Sequence, residues 1–72
     1  MSTGWRKRQI SDLIECQRML EMLFPKQPEL IDGWWRSPNK AFDMKPPREV
    51  FNTGGGDRVS AYLRSHLGGE YY

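Results

Sequence analysis

Apolar positions along the chain recur at helical spacing and are broken by proline and glycine, which predicts four helical segments. In the first, about Gln9 to Phe24, Ile10, Leu13, Ile14, Leu20, Leu23 and Phe24 fall on one amphipathic face. Ser11 or an earlier residue opens it, Pro25 and Pro28 end it, and Met19, Met22 and Cys16 sit off the centre of its stripe, the two methionines read as flexible core filler. The second, about Pro28 to Arg36, begins with a proline at a tolerated first-turn position and an early Glu29 that suits the helix dipole. Leu30, Ile31, Trp34 and Trp35 form its apolar surface; two adjacent Trp cannot point the same way, so one is assigned to the core and the other to a flank. Ser37, forced out of helical geometry by Pro38, stops this segment. A compact loop, Lys40 to Pro46, comes next, with Ala41, Phe42 and Met44 as its expected anchors. A short third segment, about Pro47 to Asn52, turns Val50 and Phe51 inward. The last, about Asp57 to Leu67, carries Val59, Tyr62, Leu63, His66 and Leu67 on one face and ends at Gly68-Gly69. Strand alternation is missing throughout, so the expectation is an all-α fold: a small bundle of about four helices, the third short, with a mobile aromatic C-terminal tail.

Size and composition narrow what such a bundle can be. A chain of 72 residues buries a thin core and needs help from disulfides, metal, aromatic packing or a second subunit. Cys16 is the single cysteine and His66 the single histidine, so a disulfide framework and a structural zinc are both excluded. Three Trp, three Phe and three Tyr leave aromatic packing or self-association as the available routes. A lone thiol, no signal-like apolar stretch and no run long enough to span a bilayer point to a cytoplasmic protein without a membrane partner.

Charge adds little. The formal net charge is +2, and the local excess sits in Arg6, Lys7 and Arg8, within residues 1–8, a basic N-terminal arm preceding a single domain, 9–72. A solvated arm is favoured over a phosphate-binding one, because nucleic-acid faces are larger and more strongly basic. A nucleic-acid partner is therefore disfavoured.

Candidate chemistry is sparse. Gly54-Gly55-Gly56-Asp57 precedes a helix, but the Gly-Lys-Ser/Thr ending of a phosphate loop and the strand before it are missing, so a turn is the expectation, with Thr53 as a cap of the last helix. His66 has no nucleophile or orienting carboxylate nearby in sequence, Cys16 has no activating neighbour, and the pairs Asp12/Glu15 and Glu49/Asp57 read as solvated helix charges. No catalytic residue, cofactor or metal site is expected, and the chain is read as a binder rather than an enzyme.

One arrangement is more specific. Leu23-Phe24 is followed by Trp34-Trp35-Arg36-Ser37-Pro38-Asn39, Ala41-Phe42, Pro47-Arg48-Glu49-Val50-Phe51, then Thr53, Val59, Leu63 and Gly69. This order and spacing, from Leu20 to Tyr72, resembles the C-terminal toxin-binding domain of the Xre/MbcA/ParS antitoxins, here as a stand-alone domain; Trp34, Trp35, Ser37, Pro38, Asn39, Phe42 and Pro47 carry the motif. Trp35 and Phe42 stand where the family commonly has Leu, and the upstream helix-turn-helix-like region of the family has only about twenty residues to occupy, so DNA binding is not expected. The resemblance implies a protein inhibitor that obstructs the active-site cleft of a RES-domain, NAD-consuming toxin. It places the partner-binding surface on the last helix and tail, at Arg58, Tyr62, Arg64, His66, Glu70, Tyr71 and Tyr72. A phage or mobile-element inhibitor using the same fold against a different host protein, such as a defence component, is the alternative. A homodimer is a further expectation.

Overall fold

A computed structural model describes residues 3–68, with side chains from Arg8 onward. It is an all-α bundle: α1 (Thr3–Leu23), α2 (Pro28–Arg36), a 3₁₀ turn at Lys40–Phe42, α3 (Pro47–Val50), a wide turn at Phe51–Gly55 and α4 (Gly56–Leu67). No strand occurs among the described residues, only one isolated bridge between Asn39 and Lys45. None of these helices is long and apolar enough to cross a membrane.

The backbone is helical from Thr3, earlier than the expected Gln9, so Arg6, Lys7 and Arg8 occupy helical positions. At its other end Phe24 N–H still bonds the Leu20 carbonyl at 2.8 Å, and Lys26 turns the chain in the left-handed region before Pro28 opens α2. Glu29 in the first turn and Arg36 in the last complement the α2 dipole.

The serine–proline–asparagine segment is a stop followed by a start. Ser37, extended ahead of Pro38, ends α2 by donating both its N–H (2.9 Å) and its hydroxyl (2.7 Å) to the Gly33 carbonyl. Asn39 organises the loop after it. Its side chain accepts from Ala41 N–H at 2.9 Å, and its carbonyl accepts from Phe42 and Met44 N–H, both at 2.9 Å. Its own N–H donates to the Lys45 carbonyl at 3.1 Å. Of the three expected loop anchors only Phe42 is buried; Ala41 and Met44 are exposed, because the loop is held by these backbone bonds.

The third helix ends at Val50, before the expected Asn52, and Pro47 at its start is fully buried. Thr53 does not cap α4: its hydroxyl donates back to the carbonyls of Glu49 (3.0 Å) and Val50 (3.1 Å). Gly54 then reverses the chain at φ +96°. A Cβ on Gly55 would stand 2.7 Å from Val50 Cγ1 and 2.8 Å from the Val50 carbonyl oxygen, so the chain folds back on itself only where no side chain exists.

The core contains Cys16, Met19 and Leu20 of α1, Ile31 of α2, Phe42, Val50, Phe51, and Val59 and Leu63 of α4. Here the expectation for α1 is corrected. Leu20 and Met19 are fully buried as expected, but so is Cys16, whereas Ile10, Leu13 and Ile14 of the stripe are 61%, 47% and 50% exposed and Met22, expected as core filler, is 49% exposed. The reason lies on α4, whose contact face carries Gly56 and Ser60. A Cβ on Gly56 would lie 3.2 Å from Asp12 Oδ2, and the Ser60 hydroxyl donates to Glu15 Oε1 at 2.7 Å. These small residues admit the Asp12–Cys16 side of α1 at close range, and the bulkier stripe is left outside.

Candidate interaction surface

The expected partner-binding residues divide on α4. Arg58, Tyr62 and His66 follow one another at four-residue spacing and share a face. Tyr62 stands at the centre of a ring cluster: Trp34 of α2 stacks on it with centroids 6.4 Å apart, Phe42 meets it edge-on at 5.3 Å, and His66 lies at 4.8 Å. The Arg58 guanidinium carbon is 5.9 Å from the Phe42 ring centroid. Arg58 and His66 are exposed and Tyr62 and Trp34 half-buried, so this is a supported surface whose rings are fixed from below.

Arg64 belongs elsewhere. Its Nε lies 3.5 Å from Glu15 Oε2 on α1, at ion-pair distance without hydrogen-bond geometry. Glu15 thus engages Ser60 and Arg64 together, which makes it a bridge between helices and not the solvated charge expected. Glu70, Tyr71 and Tyr72 lie outside the described residues.

The two tryptophans differ from the expected division into core and flank. Both are half-buried, packed edge-on to each other at 5.2 Å, because α2 lies over the bundle with one Trp on either side. Trp34 joins the α4 ring cluster, and Trp35 meets Phe51 edge-on at 5.8 Å.

Trp35 also lines a second surface that the sequence did not single out. A groove of about 440 Å³ runs between Ile10 and Leu13 of α1 and Trp35 and Phe51, with Gln9, Arg48 and Asn52 at its rim. Its floor is apolar, and Arg48 is the one charged residue along it among the described residues. The signal that could have found it was present: a helix bearing two apolar stripes, opposite an α4 whose small residues can seat against only one.

Cys16 is buried, and that burial pushes its thiol up to about 12, with the Ser60 hydroxyl pulling weakly the other way. Such a thiol is neutral and unreactive at pH 7. The glycine turn borders a cleft where Lys45 and Arg58 are offset by Asp43 and Asp57, so no net positive field builds there. No group of three or more His, Cys, Asp or Glu among the described residues is placed to hold a metal ion.

Compared with known proteins, the chain matches no family model, no curated protein and no solved structure.

Proposed function

We propose that this chain is a protein-binding inhibitor whose contact surface is the Arg58–Tyr62–His66 stripe of α4, backed by Trp34. The observation that supports this reading is the ring cluster itself. Trp, Tyr and Arg are the residues that dominate interface energetics, and rings already held in place lose little freedom on binding. The partner class implied by the sequence resemblance is a RES-domain, NAD-consuming toxin, and a basic aromatic stripe suits a cleft that handles an anionic dinucleotide.

The test is co-expression with a panel of RES-domain toxins, reading cellular NAD and growth, followed by gel filtration of the complex. Protection of the NAD pool by the wild-type chain, with affinity at least about tenfold weaker for Arg58→Glu and His66→Ala, supports the reading. Failure to protect against any toxin in the panel removes the RES assignment. The same stripe would then serve a phage or mobile-element inhibitor of a different host protein. Wild-type affinity in both variants overturns the stripe itself.

A further inference from the structure

We propose that Met44 is a second contact of the protein-binding surface, inserting its side chain into an apolar pocket of the partner beside the cleft that receives the Arg58–Tyr62–His66 stripe. This rests on the stripe reading and extends it to the loop before α3. The loop places a methionine where its backbone favours glycine. Phe42 to Lys45 form a β-turn, closed by Lys45 N–H donating to the Phe42 carbonyl at 3.0 Å. Its central residues, Asp43 and Met44, lie at φ +55° and +65°, the mark of a type I′ turn. Such turns favour Asn or Asp and then Gly. Asp43 fits, because a short polar side chain eases the left-handed region. Met44 does not, because its Cβ crowds the backbone with nothing polar to compensate. Packing within the fold does not offset this: Met44 is 60% exposed, and of residues 39–45 only Phe42 is buried. Strain that the fold itself does not use is characteristic of recognition sites.

The turn borders the stripe. The Arg58 guanidinium sits over the Phe42 ring, 5.9 Å from its centroid, and Phe42 meets Tyr62 edge-on. Asp43 and Lys45, on either side of Met44 in the chain, line one cleft with Arg58. A single partner can therefore cover Arg58 and Met44 together. The tip is also held in place. The Asn39 carbonyl accepts Met44 N–H, and Asn39 N–H donates to the Lys45 carbonyl, so the methionine is presented on a backbone already fixed. Such presentation lowers the ordering cost of binding, and an unbranched thioether adapts to the pocket it enters. Asp43 and Lys45 give that contact a polar rim around an apolar centre, as protein interfaces have.

Thermal melts of the protein alone test the premise. Met44→Gly keeps every backbone bond and relieves the turn, so Tm should rise by at least about 2 °C. Affinity for a RES-domain toxin that the wild-type chain binds tests the contact. Met44→Gly should bind at least about tenfold more weakly despite its greater stability, and Met44→Leu, which keeps the apolar bulk, within about threefold of wild type. A more stable protein that binds worse is not the product of a damaged fold. No rise in Tm overturns the proposal. If Arg58→Glu weakens binding while Met44→Gly binds as wild type does, the stripe stands and the Met44 contact fails alone. If the wild-type chain binds no toxin of the panel, the RES assignment and this contact fail together.

Discussion

Cys16 shows how far one buried atom can set a measurable property of the whole protein. Its thiol titrates near 9 when unfolded and near 12 when folded, so the native state holds a proton that the unfolded state releases in between. Stability from this group is complete below pH 9 and is lost as pH rises from 9 toward 12. Stability should therefore be lower at pH 10 than at pH 8, and urea titrations at the two values should show the fall. Cys16→Ala should flatten that slope, and a thiol reagent at pH 8 should label the wild-type only as fast as it unfolds. Gly55 offers a second residue-scale test. With a Cβ 2.7 Å from Val50 Cγ1 and 2.8 Å from its carbonyl oxygen, Gly55→Ala should cost about 2 kcal/mol in thermal or chemical denaturation. Sequence made the glycine run visible as a turn. It left unstated which backbone atom each glycine had to avoid, since that contact arises only after the chain has folded back.

At the scale of elements, helix starts and stops were legible wherever proline spoke. Pro28 and Pro47 open helices, and Ser37 before Pro38 ends one, because a ring that removes a donor and restricts its predecessor acts through local geometry alone. The inward face of α1 was legible in part. Leu20, Leu23 and Phe24 of the expected stripe meet the core, but Ile10, Leu13 and Ile14 are left outside it, a division set by Gly56 and Ser60, more than forty residues away. The polar bridge at that contact is accordingly worth testing. Glu15→Ala leaves the fully buried Ser60 hydroxyl without the acceptor it now has, and should destabilise by about 1–2 kcal/mol. In a double-mutant cycle with Ser60→Ala the two losses should be clearly less than additive, the mark of a shared contact. Additive losses would show that Glu15 and Ser60 act separately.

For the whole molecule, a thin core means that single truncations weigh heavily. A domain of this length has a stability of about 4–10 kcal/mol, and removing a fully buried leucine costs about 2–5 kcal/mol. Leu63→Ala should therefore remove a large share of the stability, by about 2–5 kcal/mol in chemical denaturation. Leu13→Ala, on the outward stripe, should change the stability of the monomer by under about 1 kcal/mol, although sequence period alone ranks the two leucines alike. Part of the candidate surface was readable: Arg58, Tyr62 and His66 share a face because four-residue spacing guarantees it. The support from Trp34 and the diversion of Arg64 to Glu15 were not, because both depend on how α2 and α1 lie against α4.

The Glu15–Ser60 bond joins residues 45 apart in the chain, and that separation has a meaning in time. At about 5–20 residues per second, a ribosome makes Ser60 some 2 to 9 s after Glu15. For those seconds α1 has no α4 to lie against, and both of its apolar stripes face the surroundings together. Newborn chains are thus most vulnerable to chaperones, proteases and one another until α4 is free to pack on α1, and slower synthesis should raise the aggregated fraction.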